Sequence, residues 1–200
     1  MSPRVGVAPL RREEILRATI RCLAREGYSG LRMKDVARAA GVSQGILHYY
    51  FDSKRAILLA ALDKVVDDLD ARLRPLLDAA PDARAQLRAV IASCLALADE
   101  NREYWIVFVE FWGEMMHDRE LSRVNATLYR RMRRALGAVV ARGVRAGLFR
   151  PVEPEEAGSV VLALVDGLSL QRTFDPKAMT ISRATRLCED AVIRYLNKDA

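Results

Sequence analysis

Apolar residues recur every three or four positions along most of this chain, which is the spacing of one face of an α-helix. Glycine, proline and short polar stretches interrupt the pattern and divide it into about nine segments. The sequence therefore predicts an all-α protein of about nine helices. The predicted helices cover approximately residues 11–27, 33–40, 44–51, 53–79, 82–101, 104–118, 119–147, 154–174 and 182–197.

The segment from Met33 to Lys54 predicts two short helices joined by a tight turn, a helix-turn-helix. Val36 and Ala37 lie on one face of the first helix. Gly41 follows as its stop, because glycine readily takes the left-handed conformation that closes a helix. Ser43 is predicted to cap the second helix, since its hydroxyl can accept from the free backbone N–H groups there.

The second short helix has the composition of a helix that faces DNA. Its predicted inward residues are Ile46 and Tyr50, and its outward residues are Gln44, Gly45, His48 and Tyr49. An amide can pair with a base edge, a glycine permits close approach, and aromatic polar tips suit phosphates. The residues predicted to contact DNA are Arg32, Lys34, Arg38, Ser43, Gln44, Gly45, His48, Tyr49 and Lys54.

Charge agrees with this prediction without requiring it. The formal net charge is +6 and the pI is about 9.5, which permits a polyanionic partner. Residues 1–54 carry ten Lys/Arg against five Asp/Glu, so a basic block coincides with the helix-turn-helix.

The spaced residues of this motif resemble the signature of the TetR family of one-component repressors. They are Gly41-Val42-Ser43, Gly45, Tyr49-Tyr50-Phe51 and Lys54. Two features depart from that signature: Arg32 stands where the family has a capping Thr or Ser, and the aromatic order is His48-Tyr49-Tyr50. An αα-corner in an unrelated helical protein is the alternative for the turn, but it leaves the basic, aromatic second helix unexplained.

The resemblance implies a function and a domain organisation. It implies a ligand-responsive transcriptional regulator, a homodimeric repressor that a small-molecule effector releases from a palindromic double-stranded DNA operator. A three-helix DNA-binding domain is expected at residues 9–55, with the motif at about 32–51. A larger ligand-binding and dimerisation domain is expected at residues 56–197. The resemblance also implies that Lys54 grips phosphate at the start of the long fourth helix.

The sixth helix holds five of the thirteen aromatic side chains of the chain, including both tryptophans. An aromatic and Met-rich helix is typical of a cavity lining, although large aromatics also fill ordinary cores. The residues predicted to bind ligand are Trp105, Phe108, Phe111, Trp112, Met115 and Met116. Glu110 and Glu114 follow the same helix, and either one facing inward would favour a cationic ligand held with help from tryptophan faces.

The seventh helix is strongly basic, with nine Lys/Arg against one acidic residue over residues 119–150. Such a run is usually a solvated face, and some of these arginines can instead pair with the acidic long helices or a second subunit. A second nucleic-acid surface is a further reading. In the alternative function, a helical protein-protein adaptor, the helix at 119–147 is the surface that binds the partner.

The last two helices predict a dimer interface, because the eighth is apolar nearly all round and needs cover on two sides. The predicted interface residues are Val160, Val161, Leu164, Leu168, Leu187 and Ala191. The TetR resemblance implies a four-helix bundle made by two helices from each subunit, and a buried hairpin in a monomer is the alternative. Asp166-Gly167-Leu168 and residues 108–117 also resemble the BetI-like branch, named for repressors of choline-to-betaine genes.

The sequence offers no sign of catalysis. His48 and His117 are far apart, and neither stands at catalytic spacing from a nucleophile or carboxylate. There is no phosphate-binding glycine motif and no metal-binding spacing, so we expect no enzyme activity, no cofactor and no metal. Cys22, Cys94 and Cys188 are isolated, which favours a reducing compartment. Without a signal peptide or a bilayer-length apolar run, the protein is expected to be cytoplasmic, with no membrane partner.

Overall fold

The computed structural model describes residues 7–197, and this part of the chain forms nine α-helices and no strand, which confirms the predicted all-α fold. The helices are α1 (Val7–Gly30), α2 (Met33–Ala39), α3 (Gln44–Tyr50), α4 (Lys54–Ala79), α5 (Ala83–Glu100), α6 (Arg102–Met115), α7 (Arg119–Arg145), α8 (Pro154–Phe174) and α9 (Ile181–Leu196). Across the described residues, no helix combines the length and apolar character needed to cross a bilayer.

Helix ends follow local chemistry. Ser43 accepts a hydrogen bond from the Ile46 backbone N–H at 3.2 Å, so the predicted cap of α3 is confirmed. Gly41 has a φ of 65°, the left-handed conformation expected after α2. Gly27 has a φ of 68° and puts a kink in α1, which separates the long part of that helix from a final short turn.

The first compact unit contains the described residues up to Leu69 together with Asn101–Ser122. It therefore includes α1, α2, α3, most of α4 and all of α6. Within it α1 packs extensively against both α6 and α2. Its core includes the fully buried Ile15, Val36 and Val107, one from each of these three helices.

The second compact unit contains Asp70–Glu100 and the described chain from Arg123 onward. Its core is formed by α5, α7, α8 and α9, with Leu87, Val140, Val161 and Val192 among the buried side chains. In this unit α7 and α8 approach very closely, because a Cβ added at Gly158 would lie 2.6 Å from the carbonyl oxygen of Arg133.

These compact units do not follow the chain linearly, since α6 belongs to the same unit as α1–α3. The division predicted from the sequence, into a DNA-binding domain at residues 9–55 and a ligand-binding and dimerisation domain at residues 56–197, concerns function and not packing. It stays a prediction. What matters for the site is that the aromatic helix shares a core with the helix-turn-helix.

Candidate functional site

Helix α3 is attached to the core by Leu47, which is fully buried, and by Phe51 one turn later. The predicted inward position of Ile46 was wrong, because Ile46 is 45% exposed and Tyr50 is only half-buried. The buried face is thus turned by one residue, about 100° around the helix axis. The reason is that Leu47 and Phe51, four residues apart, form the apolar pair that meets the core.

The exposed face of α3 consists of polar and aromatic groups. Gln44, Gly45, His48 and Tyr49 are exposed, and Tyr49 has 82% of its surface accessible. The predicted orientation of these four residues toward solvent is therefore confirmed. Whether they contact DNA stays a prediction.

The remaining predicted DNA contacts lie on and around α2. Arg32, Lys34 and Arg38 are all exposed, and Arg38 makes only a loose pair with Asp35 at 3.4 Å. Arg32 occupies the N-cap position of α2, where no side chain caps the helix. The departure from the TetR signature at this position therefore removes a cap and places an exposed guanidinium there.

Lys54, at the start of α4, is held by the end of α1. Its Nζ donates to the carbonyl oxygen of Tyr28 and lies 4.5 Å from the centre of the Tyr28 ring. Lys54 is half-buried, unlike the other predicted DNA contacts. In this structure the Lys54 ammonium therefore contacts Tyr28 near the end of α1.

Glu110 on α6 binds the backbone N–H of the same residue, Tyr28. The Tyr28 N–H donates to Glu110 Oε2 at 2.7 Å, while Lys54 holds the Tyr28 carbonyl. Gly27 permits this approach, because its φ is positive and an added Cβ would lie 3.2 Å from Glu110 Oε2. Glu110, considered from sequence as a partner for a cationic ligand, is thus engaged with backbone next to the helix-turn-helix.

The predicted ligand-binding residues of α6 do not form one uniform surface. Trp105 and Phe111 are buried, and Phe108, Trp112 and Met115 are half-buried. Met116 lies beyond the helix and is 82% exposed. Trp105 and Trp112 meet edge to face with ring centroids 5.8 Å apart. Part of this set therefore belongs to the core and part is accessible, and its contact with a ligand stays a prediction.

A polar network that the sequence did not predict joins three helices of the first unit. The Tyr104 hydroxyl donates to Asp68, and Lys64 lies 3.0 Å from Asp68 and 3.5 Å from Glu13. Burial, and then the hydrogen bond to Asp68, raise the pKa of the Tyr104 phenol. The network connects α1, α4 and α6 close to the aromatic residues.

The predicted dimer residues of α8 and α9 divide by burial. Val161 and Leu168 are buried in the second unit itself. Val160 and Leu164 are half-buried, while Leu187 and Ala191 are exposed and lie one turn apart on α9.

The arginines of α7 are partly paired inside the second unit. Arg131 pairs with Asp70, and Arg134 lies 3.5 Å from Glu155. Arg142 donates to the Gln86 side chain at 2.7 Å. The sequence left open whether the arginines of α7 are solvated, paired or bound to nucleic acid, and these three are paired within the chain.

Asp166 lies in the central, mostly apolar part of helix α8. It accepts a hydrogen bond from the Tyr129 hydroxyl at 2.7 Å. Burial raises the pKa of the Asp166 carboxyl, and the bond from Tyr129 opposes that shift without cancelling it.

Comparisons with known proteins identify both parts of the chain. Residues 15–61 match the family model described as bacterial regulatory proteins, tetR family, and residues 83–197 match the model for the C-terminal part of BetI-type transcriptional repressors. A regulator from Saccharomonospora viridis, solved in complex with choline, is 27% identical with a TM-score of 0.83, covering 92% of this chain and 96% of that one. A regulator from Pseudomonas aeruginosa PAO1 is 25% identical with a TM-score of 0.79, covering 95% of each chain.

The chain belongs to the TetR family of transcriptional regulators, as its helix-turn-helix residues predicted. Within that family its C-terminal part is of the BetI type. The HTH-type transcriptional regulator BetI of Burkholderia cenocepacia strain HI2424 is 31% identical over 198 residues, which is 98% of this chain and 100% of that protein. The BetI of Burkholderia thailandensis is also 31% identical, over 95% of each chain.

Proposed function

We propose that this regulator is a cytoplasmic homodimer that represses transcription from a palindromic operator and is released by a small-molecule effector. The DNA-binding part of this proposal rests on how α3 is held and which of its faces is exposed. Ser43 caps the helix and Leu47 holds it to the core, so that the polar face opposite Leu47 is displayed on a fixed element.

In the proposed complex α3 enters the major groove. Gln44 reads a base edge through its amide, and Gly45 lets the backbone come close. The exposed guanidinium of Arg38 and the ammonium of Lys34 face phosphates, which fix position and contribute a salt-dependent part of the affinity. Two copies on a symmetric dimer then suit half-sites about one helical turn apart, roughly 34 Å.

We assign dimerisation to α8 and α9, using the part of the predicted set that remains accessible. Leu187 and Ala191 are exposed on α9, and the 79% exposure of Phe174 at the end of α8 adds apolar surface. Residues 9–55 would then bind DNA, and residues 56–197 would carry effector binding and dimerisation.

The effector proposed here is an organic cation. The choline complex of the Saccharomonospora viridis regulator supports this class, as does the half-buried Trp112 beside Trp105, because aromatic faces attract alkylammonium groups. The effect of an effector that binds α6 is proposed to be transmitted to the helix-turn-helix through the α1–α6 packing and the Glu110–Tyr28 hydrogen bond. The effector can shift the equilibrium between the operator-binding and the released conformation only by its difference in affinity for these two conformations.

Operator selection from random duplexes tests the DNA-binding proposal. Gln44→Ala and Arg38→Ala should each weaken binding to the selected duplex by about 5- to 100-fold, the range expected for one to three kcal/mol of lost contact. Gln44→Ala should also relax base preference, whereas Arg38→Ala should reduce the salt dependence. Tyr49→Phe should weaken binding as well, by removing a phosphate-facing hydroxyl.

Arg145→Ala is the matched control, since Arg145 is an exposed arginine on α7 outside the proposed interface. It should leave operator affinity unchanged. Binding that is indifferent to the substitutions in α2 and α3 would contradict the proposed DNA surface.

A thermal-shift assay with choline tests the effector surface on α6. Wild type should be stabilised in proportion to the logarithm of the choline concentration above Kd. Trp112→Ala should lose that shift, and Arg102→Ala serves as the control, because Arg102 is an exposed side chain at the start of α6 outside the predicted ligand-binding set. An unchanged shift in Trp112→Ala would remove α6 from the assignment.

A further inference from the structure

The exposed side of helix α3 carries an aliphatic side chain, Ile46, next to its polar groups. Ile46 is 45% exposed and Tyr49, three residues later, is 82% exposed. Residues three apart are neighbours on the surface of a helix. Among the exposed large hydrophobic side chains of the described chain, these two share one helix, and each of the others stands singly. Ile46 and Tyr49 therefore form a small exposed apolar surface on α3.

This surface lies on the side of α3 that points away from the core. Successive residues of an α-helix are turned by about 100°, so Tyr49 points about 180° away from the midpoint between the buried Leu47 and Phe51. By the same geometry Gly45 and Ile46 lie about 40° and 60° to either side of Tyr49. A Cβ added at Gly45 would have no contact closer than 3.8 Å, so this side of the helix is open.

Ile46 and Tyr49 are held in fixed positions. The Ile46 backbone N–H donates to the Ser43 hydroxyl at 3.2 Å, which joins it to the cap of the helix. A β-branched side chain in a helix has one strongly preferred χ1 rotamer, so Ile46 loses little conformational entropy when a partner buries it. The Tyr49 ring meets the Tyr50 ring edge to face with centroids 5.3 Å apart. The surface is therefore preorganised for an apolar group.

The surroundings of this surface favour DNA over a protein as its partner. Helix α3 lies within residues 15–61, which match the family model for tetR-type regulatory proteins, and the exposed Lys34 and Arg38 on α2 suit phosphates. A stable protein interface buries about 800 Å² on each partner, far more than two side chains offer. The apolar group that the base edges of the major groove present is the C5-methyl group of thymine.

We propose that Ile46 reads thymine in the operator, by contact of its side chain with the C5-methyl group of one thymine in each half-site, beside the Tyr49 ring. This inference rests on the proposed function, because it takes α3 to enter the major groove. It adds a residue that determines specificity through an apolar contact, whereas the Gln44 amide acts through hydrogen bonds.

Replacement of thymine by deoxyuridine in the operator tests the inference. The duplex that the wild-type full chain selects from random duplexes is made with deoxyuridine at one symmetric pair of thymine positions at a time. Deoxyuridine keeps the hydrogen-bonding edge of thymine and lacks only the C5-methyl group. At one pair of positions the replacement should weaken wild-type binding by about 15-fold. Each buried methyl group contributes about 0.8 kcal/mol, or about 4-fold, and both half-sites are changed.

Ile46→Ala is the decisive variant. It should bind the thymine operator at least about 15-fold more weakly than wild type, and deoxyuridine at the sensitive positions should change its affinity by less than about 2-fold. Ile46→Val keeps a branched side chain and should retain part of the thymine preference. Both variants should bind random duplexes at low salt as wild type does, because the phosphate contacts are unchanged.

Leu76→Ala is the matched control, since Leu76 is a 40% exposed aliphatic side chain on α4. It should keep the wild-type operator affinity and the full loss on deoxyuridine replacement. An equal deoxyuridine loss in wild type and Ile46→Ala would overturn the role of Ile46, as would a selected operator without any sensitive thymine.

The same measurements separate this inference from the proposed function. A wild-type protein that prefers no duplex over random ones would contradict the DNA-binding proposal and this inference together. Thymine preference that depends on Ile46, in a protein that choline does not release from the operator, would support this inference and count only against the proposed effector response.

Discussion

Replacing Glu110 by alanine should loosen the connection between α6 and the helix-turn-helix. The wild-type carboxylate accepts the Tyr28 N–H at 2.7 Å, immediately after the kink at Gly27. That N–H is one of the free donors at the start of the short turn that ends α1, so no intrahelical carbonyl can replace Glu110. Glu110→Ala therefore leaves a half-buried donor without its protein acceptor.

The size of the effect follows from the type of bond. A hydrogen bond from a neutral donor to a charged acceptor contributes about 1.5–3 kcal/mol, and water can recover part of this because both residues are only half-buried. We expect the free energy of unfolding to fall by about 1–2 kcal/mol. For a chain of this size each kcal/mol lowers Tm by about 2–4 °C.

Urea unfolding at one fixed protein concentration measures this loss, with amide exchange of Tyr28 as a local probe. Glu110→Gln keeps an acceptor oxygen and should lose about half as much as Glu110→Ala. Glu114→Ala, one turn further along α6, is the matched control and should change stability by less than about 0.5 kcal/mol. Equal stability of Glu110→Ala and Glu114→Ala would refute the reasoning, as would unchanged exchange at Tyr28.

Three further substitutions test the packing described above. Leu47→Ala should destabilise the protein by about 2–5 kcal/mol in urea unfolding, because Leu47 is fully buried. Ile46→Ala should change the free energy of unfolding by no more than about 0.5 kcal/mol. A larger loss for Ile46→Ala than for Leu47→Ala would show that Ile46 is the inward residue. Gly158→Ala should lower Tm, because overpacking against the Arg133 carbonyl at 2.6 Å costs about 1–3 kcal/mol and exceeds the gain of about 0.5–1 kcal/mol from alanine in a helix. Asp166→Asn should remove a pH dependence. The raised pKa of Asp166 means that its contribution to stability is fully present below the ordinary pKa of 3.8 and is lost as pH rises through the raised pKa, so the variant should show a flatter stability curve above about pH 4.

Local signals carried most of the correct predictions. The glycine at Gly41, the cap at Ser43 and the proline at the start of α8 each act within one helical turn, so their effects can be read from neighbouring residues. The inward face of α3 was predicted wrongly because neighbouring residues alone do not determine it. A helix of seven residues gives only two turns of periodicity, and the decisive partner of Leu47 is Phe51, which lies just past the helix end.

Long-range partners could not be predicted in this way. Glu110 meets a backbone N–H that is 82 residues away in sequence, and Asp166 meets a hydroxyl 37 residues away. Helical periodicity shows which residues share a face, but it does not show which other helix that face meets. The sequence therefore identified Glu110 as a notable acid but did not indicate the backbone N–H that it binds.

The grouping of α6 with α1–α3 has a physical consequence for how this regulator can work. The family match assigns α6 to the BetI-type C-terminal part, yet its side chains complete the core that also holds α1 and α2. A closely packed core resists small, continuous deformation, so a displacement of α6 must be met by α1 or by rupture of the Glu110–Tyr28 contact. Rupture of that contact would cost a hydrogen bond to a charged acceptor, because the Glu110 carboxylate accepts from the Tyr28 N–H. For the proposed mechanism we therefore expect movement of α6 to reach the helix-turn-helix through α1.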